Sequence, residues 1–159
     1  MNELTPTGEM YQTWSLLRRV SHLVLRVRDN ELSRYGLTSA ESAVLLSIRA
    51  NDGKATPADI SRRLLREPNS ISAQVSRMAK KGLVKKTKDA HRKSVVRLSL
   101  TSKGRSACEK AANLESVREL LAVLSAKERA RLRLSLDKLR QKGIEQLIRS
   151  KSSLLTAQQ

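Results

Sequence analysis

The chain has no phenylalanine, one tryptophan and two tyrosines among its 159 residues. Its core must therefore be built from Leu, Val, Ile and Ala, and a mode of binding that stacks unpaired bases on aromatic rings lacks its usual side chains. A single cysteine, Cys108, excludes an intrachain disulfide and suits a reducing compartment. No apolar run approaches the roughly 18 residues of a membrane span. The opening "MNELTPTGEM" lacks the basic and apolar regions of a signal peptide. A soluble, cytoplasmic protein is the expectation. There is no Gly/Ser linker, internal repeat or Gly-rich phosphate loop, and no Ser/His/Asp or Cys/His set in a catalytic context. His22 and His91 have no metal-ligand spacing with Cys108. Neither an enzyme, a cofactor nor a metal site is expected.

Acid is scarce as well: 15 Asp and Glu stand against 32 Lys and Arg, a formal net charge of +17. Such a field attracts polyanions, which puts nucleic acid or an anionic membrane surface first among partners. Residues 54–105 hold fifteen Lys and Arg against Asp59, Glu67 and Asp89, so +12 of the charge lies there and +5 in the rest. A basic middle flanked by nearly balanced ends suggests that the middle meets the polyanion. The length suits one domain, or a compact module whose helical extensions share a core with a second copy.

Hydrophobic spacing predicts a helix from about Glu9 to Ser33, with Met10, Trp14, Leu17 and Val24 beside a second row of Leu16, Val20, Leu23 and Val27. That face is wider than one small domain needs to cover. Tyr35-Gly36 ends it. Thr38 caps a second helix, with Glu41 completing a capping box, and Asn51-Asp52-Gly53 stops it. Thr56 caps a third, with Pro57 at its first position and Asp59 in its first turn. After Arg66-Glu67-Pro68 a fourth helix follows, with Asn69 as its N-cap and Gly82 just past its end. Two short helices joined by a tight turn have the layout of a helix-turn-helix. Residues 83–88 and 95–100 alternate as strands, with Val96, Leu98 and Leu100 on one face and Val95, Arg97 and Ser99 on the other. The loop between them lacks a tight-turn signal and should be long and mobile. Thr101 caps a fifth helix through residues 102–124, Ser125 caps a sixth through 126–150, and a frayed tail from Lys151 is expected.

On the fourth helix Ile71, Val75, Met78 and Ala79 share the inward side, leaving Asn69, Ser70, Ala73, Ser76, Arg77 and Lys80 outward. Small residues, hydroxyls and a few cations can enter a major groove without steric conflict and bond base edges or phosphates. An ordinary solvated surface would read the same way from this helix alone. The hairpin adds Lys85, Lys86, Lys88, Arg92, Lys93 and Arg97. Long cations at a loop tip suit the electronegative minor groove. The plainer alternative is a charged edge that blocks strand pairing.

At these residues the sequence resembles the MarR family of winged helix-turn-helix regulators. The similarity lies in "LTSAESAVLLSI", in "TPADISRRLLREPNSISAQVSRMAKKGLVKK", in "VVRLSLTSKGR" and in "LSAKERARLRLSLDKLR". It implies a mainly α fold with a small β wing. A winged helix-turn-helix domain at 37–101 would be carried on N- and C-terminal dimerisation helices at 1–36 and 102–159. It also implies a homodimer on double-stranded DNA with a pseudo-palindromic operator, acting as a repressor. Recognition residues would be Asn69, Ser70, Ser72, Ala73, Gln74, Ser76, Arg77 and Lys80. Wing residues would be Lys86, Lys88, His91, Arg92, Lys93 and Arg97. One departure concerns the tip, where the family reads Asp-Arg-Arg. Here "DAHRKS" is one residue longer, with His91 in the Asp position, so the salt bridge made by that Asp is not expected.

Family members often bind small phenolic or anionic effectors, and some sense oxidants through a cysteine. Tyr11, Trp14, Arg18, His22 and Tyr35 are the candidates for lining an effector crevice, although Trp14 also suits a dimer core. Cys108 reads as a packed, inert residue of a helix. The alternative function is a non-specific basic architectural or RNA-binding protein using the same module.

Overall fold

The computed structural model describes residues 6–156 apart from 53, 90, 91 and 93, with side chains described between 7 and 149. The chain forms α1 (Pro6–Ser33), α2 (Ser39–Ala50), α3 (Pro57–Leu64), α4 (Pro68–Lys80), β1 (Val84–Lys88), β2 (Val96–Leu100), α5 (Ser102–Ala112), α6 (Glu115–Ala122) and α7 (Ala126–Thr156). By contacts it divides into two compact units, Met1–Val117 and Arg118–Gln159.

In the first unit α2 is central, packing on α1, α3, α4, α5 and β2. Leu32, Val44, Leu45, Ile48, Ile60, Ile71, Val75, Met78, Leu98 and Cys108 form one closed core. Fully burying a side chain of this size contributes about 1.5–3 kcal/mol relative to leaving it exposed. The aliphatic core expected for a chain without Phe is the one that forms.

The helix starts are written locally. Thr38 accepts from the Glu41 N–H while Glu41 accepts from the Thr38 N–H, and Thr56 and Asp59 repeat the arrangement ahead of α3. Bonds from the Thr56 hydroxyl and N–H hold the Asp59 carboxyl below its ordinary value. At the end of α1, Gly36 (φ 67°) turns the chain so that Leu37 N–H reaches the Leu32 carbonyl at 3.1 Å. Gly82 (φ 70°) plays the same part after α4.

Strands β1 and β2 pair antiparallel from Val84↔Leu100 to Lys88↔Val96, and Ala55 bridges to Leu98 as a short third edge. Only Val84 and Leu98 of the two strands are buried, so the hairpin is anchored at its base and its outer half stands in solvent. Val96, on the same face as the buried Leu98, is exposed at the tip end of β2, where no described element covers it. The expected mobility of the loop concerns residues that include 90, 91 and 93, which lie outside the described ones.

Besides shifts of one to three residues at the starts of α1, β1 and β2, three boundaries differ from the sequence reading. The N-cap of α4 is Glu67, not Asn69; Pro68 takes the first helical position, where its fixed φ and missing N–H cost nothing. The fifth helix is broken at Asn113-Leu114, where Leu114 takes φ 53°, and restarts as α6. The last helix does not stop at 150 but continues to Thr156. Its expected cap is present: Ser125 accepts from the Glu128 N–H at 3.3 Å and donates to the Glu128 carboxylate at 2.7 Å.

Candidate nucleic-acid interface

The helix-turn-helix is α3 and α4, joined by an abrupt turn. Leu65 is left-handed (φ 52°), the Arg66 N–H reaches the Ser61 carbonyl at 3.1 Å, and the Ser61 hydroxyl bonds the Arg66 carbonyl at 2.6 Å. This local lock presents α4 with Ile71, Val75 and Met78 fully buried and Asn69, Ser70, Ser72, Ala73, Arg77 and Lys80 exposed. Gln74, a recognition residue by the resemblance, is buried instead, because it falls on the turn of the wheel beside Ile71 and Val75. Ser76 is half-buried and already occupied. Its hydroxyl donates to the Ser72 carbonyl and receives the Lys86 ammonium at 2.7 Å. Lys86 therefore ties the wing to α4.

The outer part of the wing is tied as well. Asp89 accepts from Arg97 Nε at 2.6 Å and from the Arg92 backbone N–H at 2.9 Å, and Arg97 Nη1 donates to the Lys54 carbonyl at 2.7 Å. The missing Asp of the tip is thus replaced two residues earlier, and the wing keeps a salt bridge that the resemblance did not lead one to expect. Asp89 is the sole acid of the hairpin and lies eight residues before Arg97; in sequence that was the available signal. Arg97, expected as a free wing contact, is in part a strut. Lys88 and the Arg92 side chain are exposed, whereas His91 and Lys93 lie outside the described residues.

Behind the wing, Thr101 fixes the junction to α5. Its hydroxyl donates to the Gly82 carbonyl at 2.6 Å and accepts from the Gly104 N–H at 2.9 Å. Gly104 has to be glycine here, since a Cβ would lie 1.9 Å from the Leu83 carbonyl oxygen. Cys108 is buried on the same helix, and burial pushes its thiol pKa up, the opposite of a reactive thiolate.

The effector candidates do not form one site within the chain. Tyr11 and Trp14 face each other with centroids 5.7 Å apart, and Arg18 lies over Trp14 at 5.8 Å. Tyr35 belongs past the far end of α1, with Lys110 over its ring at 5.6 Å. From Tyr11 to the end of α1 is roughly 30 Å by helical rise, which is why even helical spacing could not bring these residues together. His22 is exposed on the stretch between. Among the described residues no group of three His, Cys, Asp or Glu could hold a metal ion, and no helix is long and apolar enough to cross a membrane.

A helix-turn-helix carrying a tethered, cation-bearing hairpin is the fold of known regulators. The model of the MarR family matches residues 35–93. The organohalide-sensing transcriptional regulator RdhR, solved with 2,4-dichlorophenol bound, is 31% identical, with 89% of this chain and 85% of that one covered and a TM-score of 0.79. The chain belongs to the MarR family. E. coli MarR, as a mutant complexed with operator DNA, is 26% identical over 85% of this chain and 98% of its own, with a TM-score of 0.77. S. aureus MepR in complex with DNA shares the fold at 23% identity and a TM-score of 0.72, with 89% and 99% of the two chains covered. No curated protein matches the chain by sequence. As in the family at large, this is a DNA-binding transcription regulator with a winged helix.

Proposed function

We propose that the protein is a homodimeric repressor that reads a pseudo-palindromic operator, with α4 of each copy in the major groove and each wing in a flanking minor groove. The observation that carries this reading is the outward face of α4. Asn69, Ser70, Ser72, Ala73, Arg77 and Lys80 lie exposed beside a wing held to the same helix by Lys86 and Ser76. Residues 37–101 would form the DNA-binding domain and 1–36 with 102–159 the dimerisation region. The large apolar side chains left in solvent support that division: Met10, Trp14, Leu16, Leu17 and Leu23 on α1, and Leu132, Leu134, Leu136, Leu139 and Leu147 on α7. Stripes of this extent are covered in a working protein, and a second copy supplies a matching one. RdhR's dichlorophenol supports a phenolic or anionic effector that releases the DNA. Tyr11, Trp14 and Arg18 would then be a lining contributed by one copy.

Footprinting tests the dimeric reading: two protected half-sites about one helical turn, roughly 10 bp, apart are expected, and protection without two-fold symmetry overturns it. Specific binding should exceed binding to random duplex by about 10³ or more. Equal affinity for both would leave a non-specific architectural role. Arg92→Ala should weaken binding uniformly and reduce the salt slope by about 1. An unchanged slope removes the wing tip from the interface.

A further inference from the structure

Nothing in residues 102–124 obliges a helix to stop: there is no proline, and the one glycine lies in the first turn. Yet the chain leaves α5 at Asn113, puts Leu114 at φ 53° and starts again at Glu115. That conformation is unfavourable for a residue with a Cβ. Leu114 is also 42% exposed, so burial of its side chain does not offset the strain.

The compensation comes from α1. Arg28 donates through Nη2 to the Ala111 carbonyl, one of the acceptors that the end of α5 leaves open. Glu31 accepts from the Glu115 N–H at 3.2 Å, the Ser116 N–H at 3.2 Å and the Ser116 hydroxyl, all at the start of α6. The two side chains are buried and pair with each other at 2.6 Å. One ion pair on α1 thus caps both ends of the break, with the negative partner at a helix N-terminus and the positive one at a helix C-terminus, as the helix dipoles favour. Arg118, where the second compact unit begins, follows two residues after Ser116.

We propose that the Arg28–Glu31 pair is a clasp that keeps the α5–α6 joint broken, and that it positions the winged domain by setting the direction in which α6 leaves it. In the dimer, the clasp then fixes the separation of the two α4 helices and so the preferred half-site spacing; this second part rests on the dimeric reading above. Arg28 and Glu31 act on DNA binding only through the joint and are positioning residues.

The test uses three full-length variants. Glu31→Ala releases the clasp; Arg28→Met/Glu31→Leu releases it without leaving a buried unpaired charge, which protects against a variant that fails to fold. Glu31→Ala/Leu114→Gly adds a residue that favours the left-handed turn and disfavours a continuous helix. Selection from a random duplex library should return the same half-site for all, at one spacing for wild type. For the released variants, the spacing should be shifted or broadened and affinity for the wild-type arrangement should fall about tenfold or more. The Leu114→Gly combination should restore the wild-type spacing. A folded released variant that keeps spacing and affinity overturns the proposal. So does a combined variant weaker than Glu31→Ala alone, because glycine at position 114 favours the broken joint and should recover binding if the joint is what Glu31 controls. Independently of any dimer, the HN–Hα coupling of Leu114 should change from its left-handed value to a helical one when the clasp is released, and an unchanged coupling overturns the clasp itself. If wild type selects no paired half-sites, the dimeric reading and the spacing role fall together and the coupling alone decides the joint.

Discussion

Leu65, between α3 and α4, and Leu114, between α5 and α6, adopt the same left-handed backbone, at φ 52° and 53°, and both side chains are exposed. Their surroundings differ. The turn at Leu65 is closed by Ser61, Arg62 and Arg66, all within five residues, so the helix-turn-helix carries its own instructions. The joint at Leu114 is closed by Arg28 and Glu31, more than eighty residues earlier in the chain. The turn that presents α4, the proposed recognition helix, is thereby closed by its own neighbours, whereas a joint leading towards the proposed dimer helices depends on the position of α1.

The comparison can be broken most severely at Glu31. Glu31→Ala leaves Arg28 buried without its partner and should cost about 3–5 kcal/mol in chemical unfolding. Burial by itself would raise the Glu31 carboxyl. The hydrogen bonds from the Ser116 hydroxyl, Arg28 and the Ser116 N–H, with the Arg28 charge, outweigh it and bring the pKa down from 4.5 to about 2. Because the folded value is the lower one, this contribution is fully present above about pH 4.5 and is lost as pH falls towards 2. Acid unfolding monitored by circular dichroism should therefore show a shallower dependence in that window for Glu31→Gln than for wild type.

Gly104→Ala strikes the other long-range junction, where a Cβ would meet the Leu83 carbonyl at 1.9 Å. A loss of about 1–3 kcal/mol is expected in thermal unfolding, since backbone has to move. On the local side, Thr56→Ala removes the capping box of α3 and should cost about 1 kcal/mol, with α5 and α6 unaffected in hydrogen exchange. The smallest change is Leu65→Gly. It relieves the left-handed turn and should alter stability by no more than about 1 kcal/mol, towards greater stability. A large loss there would mean that the turn is not self-contained and would erase the contrast with Leu114.

What could be read before the fold was known follows the same division. The capping residues Thr38, Glu41, Thr56, Thr101 and Ser125 were legible because a cap and its partner lie three residues apart. The inward set Ile71, Val75 and Met78 was legible because burial repeats with the helix. Asn69 was misplaced as a cap because proline at the first helical position competes with a good capping side chain one residue on. The role of Arg97 was half seen. Charge and location marked it for DNA, but its bonds to Asp89 and to the Lys54 carbonyl 43 residues away exist only once the hairpin is folded onto the chain before α3. Gln74 was carried over as a recognition residue by the resemblance, whereas its position on the wheel decided its burial.

The sequence by itself determined the order of helices and strands, most of their ends, the composition of the core and the concentration of positive charge on one module. All of these depend on neighbours within a few residues or on totals. The tertiary structure decided which cations remain free and which are struts, and that Tyr35 stands apart from Tyr11 and Trp14. It also decided that residues 102–124 form two helices rather than one. In that last case no proline interrupts the stretch, and Arg28 and Glu31, brought in by α1, bond the facing ends of α5 and α6 across the break.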